Sequence, residues 1–250
     1  MVDQLEGKNP VLEALRGNRQ VKEIYIATKQ KGQGLDEIRS LARDQKVSVK
    51  NVEKEKLDKM AQSRNHQGVI AIVEPYRYQD FEEVIEKALQ AKENPLIILL
   101  DGIEDPHNLG SIIRSAEVFG ASAVIIPKNR AVGVTPTVAK IASGALEHVP
   151  VLQVVNLTET IKTLKKKNFW IAAGVGESSQ DLSDQDLRGS IGLVIGSEGK
   201  GISRLVKEHC DYLLRIPMAG KTGSLNASVA AGVLLYEVFN QNRKKKELSR

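Results

Sequence analysis

Short, continuous apolar runs recur in the C-terminal part of the chain, with helix-like spacing of apolar residues between them. A run without polar alternation predicts a parallel strand that is covered on both faces of its sheet. Strands that alternate with helices predict a mostly parallel sheet of the α/β class. The predicted strands cover residues 96–100, 123–126, 169–173 and 191–195, and a last helix is expected over about residues 225–240.

The N-terminal part of the chain carries a second, smaller α/β pattern. Asn9 and Pro10 are typical of a helix N-cap and of the first helical position, and Gly17 is expected to end that helix. Helices and strands are expected over residues 11–16, 24–27, 35–42, 47–52, 53–61 and 68–73.

A short acidic stretch, bounded by prolines, separates two basic parts of the chain. It contains a predicted helix over residues 81–91 and is otherwise typical of a connector. We therefore expect a small N-terminal domain over residues 1–75, a linker over 76–95 and a larger α/β domain over 96–250.

Composition narrows the class of protein. The chain has 250 residues, of which 41% are apolar, and its 36 basic and 31 acidic residues give a formal net charge of +5. Collagen, coiled-coil and disulfide-scaffold compositions are excluded, and the mild basic excess favours a polyanionic partner. The single cysteine, Cys210, cannot form an internal disulfide, and the apolar runs are too short for a membrane span. We expect a cytoplasmic protein.

Motifs for other nucleotide ligands fail at required positions. Gly220-Lys221-Thr222 resembles the end of a Walker A loop, but Arg215 stands where the earlier glycine is required. Gly174-Val175-Gly176 would need a glycine or alanine where Ser179 stands to form a dinucleotide fingerprint. Neither a triphosphate site nor a nicotinamide site is predicted.

Metal and thiol chemistry are also not indicated. The histidines share no ligand-like spacing with one another or with Cys210, so no metal site is expected. His209 precedes Cys210 directly, and adjacent residues of a regular element point apart. Cys210 is therefore not predicted to be an activated nucleophile.

Residues 100–116 predict the end of a buried strand, a polar turn and a helix that begins near Asn108. Arg114 lies off the apolar stripe of this helix, so it should emerge near the carboxyl end of the sheet, where open α/β folds bind ligands. The alternative is that Asn108 only caps the helix and that Arg114 is a solvated charge.

Two glycine-rich segments follow later strands. In residues 193–202, three glycines surround Glu198 and let backbone amides approach a ligand closely. Glu198 suits a ribose, an amino group or an arginine better than a phosphate. Residues 215–232 run from a glycine-rich loop into a helix start dense in serine and asparagine, followed by small residues that favour close packing. Alone, the first segment is also compatible with a tight turn and the second with a capped packing helix.

In order and spacing, these three segments resemble the signature motifs of the SpoU (TrmH) family of RNA ribose 2′-O-methyltransferases, within the SPOUT superfamily. Residues 96–250 look like its catalytic domain. Residues 1–75, with Gly7-Lys8-Asn9-Pro10-Val11 and Asn65-His66-Gln67-Gly68-Val69, look like its accessory substrate-binding domain, which is similar to some ribosomal-protein RNA-binding folds. That accessory domain is typical of the RlmB type, which methylates a guanosine in 23S ribosomal RNA.

The resemblance implies a parallel α/β sheet with a deep C-terminal trefoil knot in which S-adenosylmethionine binds. It also implies a homodimer with the active site at the subunit interface. Positions that match the family's cofactor contacts are Gly174, Gly196, Ile216 and Leu225. Positions that match its active-site residues are Asn108, Arg114, Glu198, Ser224 and Asn226.

The family's proposed role for the residue at Arg114 is activation of the ribose 2′-hydroxyl. An arginine keeps its proton in proteins, so a role as general base is costly. We expect Arg114 to act chiefly as an electrostatic clamp on the developing alkoxide and an adjacent phosphate. Glu198 and Asn108 would hold that arginine or the ribose, and Ser224 with Asn226 would complete the pocket.

Three other functions remain open at this point. The same chemistry on transfer RNA is the strongest alternative. A non-catalytic RNA-binding or ribosome-assembly protein that kept the fold is the second, and the intact set of active-site positions argues against it. A nicotinamide dehydrogenase is a distant third, because the dinucleotide fingerprint is missing.

Overall fold

The computed structural model describes residues 3–17, 20–28, 30, 32–61, 66–91, 93–220 and 223–248. The strands are β1 (Asp3–Glu6), β2 (Val21–Ala27), β3 (Ser48–Val52), β4 (Val69–Val73), β5 (Leu96–Asp101), β6 (Ala123–Pro127), β7 (Val151–Val154), β8 (Trp170–Gly174), β9 (Ile191–Gly196) and β10 (Tyr212–Leu214). The α-helices are α1 (Lys8–Arg16), α2 (Gln33–Asp44), α3 (Lys54–Met60), α4 (Phe81–Ala91), α5 (Pro106–Val118), α6 (Pro136–Ala142), α7 (Leu157–Lys166), α8 (Arg204–His209) and α9 (Ala227–Leu248).

The chain forms two compact units. One contains Met1–Arg77 together with Val134–His148, and the other contains Tyr78–Gly133 together with Val149–Arg250. The first unit therefore includes a segment from within the stretch that the sequence assigned to the catalytic domain.

That segment, which carries α6, packs on the first unit through polar contacts. Lys140 Nζ lies 3.8 Å from Glu6 Oε2, and Glu6 is only 5% exposed. His148 Nε2 lies 3.3 Å from Glu13 Oε2. Sequence periodicity does not reveal this grouping, because it reports which face of a helix is apolar and not which partner covers it.

The first unit is built on a four-stranded sheet in the order β1-β4-β2-β3. Strand β4 is antiparallel to both neighbours, whereas β2 and β3 are parallel. Ile24 and Ile26 of β2, Ile38 of α2 and Ile70 of β4 are completely buried, so the predicted small α/β layer has a core of its own.

Helix α1 begins earlier than the sequence predicts. Its N-cap is Gly7, with φ +103°, and not Asn9. Glycine tolerates this backbone conformation without a Cβ clash, which allows the sharp turn from β1 into the helix. Pro10 still falls in the first turn, where its missing N–H is not needed, and Gly17 ends the helix as predicted.

The two N-terminal motifs lie side by side in the structure. The backbone N–H of Gly7 donates to the carbonyl of Val69 at 3.2 Å, and the N–H of Lys8 donates to Gln67 Oε1 at 3.1 Å. Asn65 of the second motif and Lys221 and Thr222 of the rejected Walker-like motif lie outside the described residues.

The second unit contains a six-stranded sheet in the order β10-β8-β9-β5-β6-β7. Every pairing in it is parallel, which confirms the predicted sheet type. The predicted strands match β5, β6, β8 and β9 to within one residue at each end. The short strands β7 and β10, with four and three residues, were not predicted.

Helix α4 lies in the stretch expected to be a linker, yet it belongs to the core of the second unit. Val84 and Ile85 are 6% and 0% exposed and pack in one cluster with Leu99 of β5. The predicted bounds of this helix, 81–91, are those of the structure.

Helix α5 begins two residues before the predicted start. Asp105 is its N-cap and accepts a hydrogen bond from the N–H of His107 at 2.9 Å, and Pro106 takes the first helical position. Asn108 therefore does not cap the helix. Its side chain is free for other contacts.

Among the described residues, none of the helices has the combination of length and apolar character that a membrane-spanning helix requires.

Candidate active site

The site lies at the carboxyl ends of β5 and β9, which are neighbours in the sheet. Asp101, the last residue of β5, is paired in register with Gly196, the last residue of β9. From β5 the sheet continues to β6 in one direction, and in the other direction it continues through β9 to β8. Such a switch point is where open α/β sheets bind ligands. The N–H of Ser203 donates to Asp101 Oδ2 at 2.7 Å, which ties the loop after β9 to the end of β5.

The loop after β9 is a tight turn that only glycine permits at Gly196. Ser197 and Gly201 exchange two backbone hydrogen bonds of 3.2 and 2.9 Å. A Cβ on Gly196 would lie 2.3 Å from the carbonyl carbon of Gly201, which is backbone and cannot move aside cheaply. Gly199 has φ +79°, so the turn also uses a left-handed residue. This geometry presents Glu198 at the tip of the turn.

A polar cluster joins the three motif segments at Glu198. Oε1 of Glu198 accepts hydrogen bonds from Asn108 Nδ2 at 2.9 Å, from the N–H of Ala227 at 3.3 Å, and from Asn226 Nδ2. Asn226 Nδ2 also donates to Asn108 Oδ1 at 3.0 Å. One carboxylate oxygen thus connects the loop after β9 with α5 and with the start of α9.

Asn226 has a second role as the cap of α9. Its Oδ1 accepts from the N–H of Ser228 at 3.0 Å, from Ser228 Oγ at 2.6 Å and from the N–H of Val229 at 3.3 Å. The amide is therefore fixed in orientation, with its oxygen toward the helix and its nitrogen toward Glu198. The serine- and asparagine-rich helix start predicted from the sequence is confirmed.

Arg114 and Ser224 lie outside this cluster. Arg114 is exposed, and within the described ranges its guanidinium has no hydrogen-bond or ion-pair partner. It follows Asn108 by six positions on α5, which turns it about 120° away around the helix. Ser224 is exposed in the loop before α9. Within one chain, Glu198 therefore holds asparagines and not the arginine that the sequence suggested as one of its partners.

A cavity of about 430 Å³ opens beside the cluster and is bounded by β8, β9, β10 and the start of α9. Glu198 lines it, as do the residues expected to bind the cofactor and Ser224: Gly174, Gly196, Ile216, Leu225 and Ser224. Sequence reasoning missed the contribution of α9, whose Ala230 and Leu234 line the same cavity. The sequence predicts only close packing for the small residues of this helix start.

Cys210 is a half-buried thiol. Burial, reinforced by the charge of Asp211, raises the pKa of Cys210 from 9.0 to about 12. Its Sγ donates to the carbonyl oxygen of Val206 at 3.2 Å. A thiol in this state is a poor nucleophile. In the described part of the chain, no group of three or more histidine, cysteine, aspartate or glutamate side chains is placed to hold a metal ion.

Comparison with known proteins defines the class. The profile of the SpoU rRNA methylase family matches residues 95–236, and a profile for RNA 2′-O ribose methyltransferase substrate binding matches residues 4–79. The chain belongs to the SpoU family of RNA methyltransferases, which depend on S-adenosylmethionine, as the sequence motifs predicted.

Individual relatives cover nearly the whole chain. YacO of Bacillus subtilis (strain 168), whose name assigns it to the TrmH family of tRNA/rRNA methyltransferases, is 45% identical over 240 residues, or 96% of each chain. The crystal structure of the SpoU methyltransferase AviRb from Streptomyces viridochromogenes, in complex with the cofactor AdoMet, is 26% identical. It aligns with a TM-score of 0.82 over 98% of this chain and 91% of its own.

A shorter relative matches only part of the chain. The structure of a TrmH/SpoU tRNA-modifying enzyme from A. aeolicus is 25% identical and covers 68% of this chain and 87% of its own, with a TM-score of 0.56.

Proposed function

We propose that this protein transfers the methyl group of S-adenosylmethionine to a ribose 2′-hydroxyl of RNA, and that a guanosine of 23S ribosomal RNA is its substrate. The observation that carries the proposal is the junction of the three motif segments. The Asn108–Glu198–Asn226 cluster stands at the wall of a cavity that the expected cofactor residues also line.

The cavity fits the cofactor in size and in lining. Its volume of about 430 Å³ falls within the range of small-molecule sites. Gly174 and Gly196 leave backbone exposed on its wall, and Ile216 and Leu225 offer apolar surface for an adenosine. We propose that these four residues hold S-adenosylmethionine. When bound, the cofactor supplies an electrophilic methyl group on a sulfonium, which is a good leaving group.

The protein must then orient a weak nucleophile and stabilise the charge it develops. Hydrogen bonds to Glu198 fix the side-chain amides of Asn108 and Asn226, so both are preorganised beside the carboxylate that lines the cavity. Ser224 adds a hydroxyl to the same wall. As the 2′-hydroxyl loses its proton to solvent water, Arg114 stabilises the negative charge that develops on the 2′-oxygen and grips a neighbouring phosphate, because a guanidinium stays charged.

Arg114 reaches a site through a second copy of the chain. Val118, one helical turn beyond Arg114 on α5, is 62% exposed. Val229 and Tyr236 of α9 are 51% and 52% exposed, and the Tyr236 ring contacts Phe119 with centroids 6.0 Å apart. This apolar face of α5 and α9 supports a homodimer whose interface brings an arginine of one subunit to the cluster of the other.

The chain path supports the expected knot. Asn226 lies beyond β10, yet it bonds to Asn108 in the first turn of α5 and to Glu198 in the loop after β9. We extend the proposal to a deep trefoil knot, in which the segment before α9 passes through a loop of the second unit.

The first unit supports ribosomal RNA as the substrate. Residues 4–79 match a substrate-binding profile of ribose methyltransferases, whereas the A. aeolicus tRNA-modifying enzyme covers only 68% of the chain. The net charge of +5 suits an RNA partner, and the substrate implies a cytoplasmic enzyme. Transfer RNA is the second candidate, because YacO and similar relatives are named as tRNA/rRNA methyltransferases.

The test is transfer of labelled methyl from S-adenosylmethionine to unmodified 23S ribosomal RNA and to transfer RNA transcripts in parallel. The proposal expects label in ribosomal RNA alone, at one ribose whose 3′ linkage resists alkali. Label in transfer RNA alone would support the methyl transfer but contradict ribosomal RNA as the substrate. Label on a base would contradict methylation of a ribose. Absence of label with bound S-adenosylmethionine would favour a binding protein.

A further inference from the structure

A second cavity, of about 760 Å³, adjoins the cofactor cavity at the carboxyl end of the sheet. Ser197, Glu198, Lys200 and Gly201 line both cavities, and Asn108 lines the second. A ligand in the second cavity would therefore contact the polar cluster at Glu198 and Asn108. The roles proposed above leave this cavity without an occupant.

The second cavity exposes apolar side chains. Val155, just before α7, is 80% exposed, and Leu205, in the first turn of α8, is 54% exposed. Apolar groups that face water inside a cleft favour a flat, weakly hydrated ligand. The face of an RNA base has this property, and proteins recognise unpaired RNA by packing bases against side chains.

Cationic side chains line the same cavity. Arg130 and Lys200 are exposed, and within the described part of the chain neither side chain has a hydrogen-bond or ion-pair partner. Arg130 has φ +57°, a conformation that is uncommon for a residue with a Cβ and is often retained for function. Both groups suit the phosphates that flank a bound nucleotide.

Carboxylates in the cavity limit what the central ligand can be. One carboxylate oxygen of Asp101 accepts a hydrogen bond from the N–H of Ser203 at 2.7 Å. One carboxylate oxygen of Asp105 accepts a hydrogen bond from the N–H of His107 at 2.9 Å. Glu104 is exposed and has no partner among the described residues. These negative charges would repel a phosphate from the centre of the cavity. The same carboxylates can accept hydrogen bonds from the N–H groups on the edge of a base.

We propose that the second cavity holds the base of the nucleotide whose ribose is methylated. Val155 and Leu205 pack on the face of that base, and Glu104 accepts from its edge. The ribose then lies at Glu198 and Asn108, between the two cavities. The inference rests on the proposed ribose methylation, and it adds the place of the base, which requires the nucleotide to leave its stack.

The first test is a double variant, Val155→Asp with Leu205→Asp. Both side chains are exposed, so the fold should tolerate the changes, and Leu89→Asp on α4, at 37% exposure and away from the cavity, is the matched control. The proposal expects kcat/KM for RNA methylation to fall by about 10- to 100-fold, as loss of base stacking does, with unchanged affinity for S-adenosylmethionine. Retained kcat/KM in the double variant would overturn the inference.

The second test does not depend on catalysis. Photo-crosslinking of 8-azidoguanosine monophosphate to the wild-type protein, with S-adenosylhomocysteine present, is expected to label residues 101–105, 127–130, 155–158 or 203–206, which line the second cavity. Labelling in these segments, together with no methylation of any RNA, would support the proposed base site and contradict the proposed ribose methylation. Specific labelling elsewhere would overturn the inference even if methylation occurs.

Discussion

Glu198 Oε1 accepts a hydrogen bond of 2.9 Å from Asn108 Nδ2, across 90 residues of sequence. Asn108 is only 8% exposed, so its side-chain amide depends on this partner and on Asn226. A carboxylate that was expected to hold an arginine or a substrate thus connects the loop after β9 with α5 and with the start of α9. Its loss should change both the stability of the protein and its catalysis.

The hydrogen bonds that Glu198 accepts predict different results for two substitutions of this residue. Glu198→Ala removes the acceptor and leaves the Asn108 amide short of a partner, which should lower the free energy of unfolding by about 1 kcal/mol. Glu198→Gln keeps an oxygen acceptor, so its loss of stability should be smaller. Urea unfolding of the two variants and the wild type measures this. Equal loss in both variants would mean that the negative charge, not the hydrogen bonds, stabilises the cluster.

Gly196 is predicted to tolerate no side chain. In Gly196→Ala the new Cβ would lie 2.3 Å from the Gly201 carbonyl carbon, so the turn must shift. We expect the free energy of unfolding to fall by about 1–3 kcal/mol and the affinity for S-adenosylmethionine to weaken. Calorimetric titration and denaturant unfolding report the two effects.

Gly176→Ala is the control, because Gly176 lines the same cavity and its added Cβ would meet nothing within 4 Å. Its stability should stay within about 0.5 kcal/mol of the wild type. If the two alanine variants behaved alike, the tight turn at Gly196 would not be what shapes the cavity.

Arg114 is predicted to matter for transfer and not for the fold. Its side chain is exposed and has no partner in the described ranges, so Arg114→Ala should change stability by less than about 0.5 kcal/mol. Methyl transfer should be abolished while affinity for S-adenosylmethionine is retained. Arg114→Lys keeps the charge without the planar fork and should recover only part of the activity. Parallel loss of cofactor affinity and transfer would refute the clamp.

The apolar face of α5 and α9 predicts that a charge will separate the subunits. Tyr236 is 52% exposed in one chain, and Tyr236→Asp would bury a carboxylate in the proposed interface. We expect this variant to be monomeric by light scattering at micromolar concentration and to lose methyl transfer. The control Leu89→Asp should leave the oligomeric state of the wild type unchanged. A wild type that is itself monomeric would rule out the shared site.

Cys210 is predicted to resist alkylation in the native protein. Because burial raises its pKa to about 12, the thiolate at pH 8 is about a thousandfold scarcer than for a thiol with a pKa of 9.0. Iodoacetamide should label Cys210 slowly at pH 8 and rapidly once urea unfolds the chain. The native rate should rise with pH and level off only near pH 12. Rapid native labelling at pH 8 would contradict the raised pKa.

The sequence by itself determined the elements and the motif positions. Apolar runs that lack alternation, such as residues 96–100 and 191–195, can only be satisfied between two covering layers, so a parallel sheet followed from local pattern. Glycines at 196, 199 and 201 marked the tight turn, because a Cβ at 196 would clash with backbone and the other two have the positive φ that glycine favours. These signals act over a few residues and are therefore readable along the chain.

Only the tertiary structure decided the partners. The Glu198–Asn108 contact and the packing of α6 on the first unit join residues that are distant in the chain, and no periodicity encodes such pairs. The start of α5 at Pro106 also freed Asn108 from the capping role that remained open in the sequence. The strand order of the sheet decides which side chains come into contact. Strands β5 and β9 are far apart in the chain, and their carboxyl ends become neighbours only because β9 pairs directly with β5.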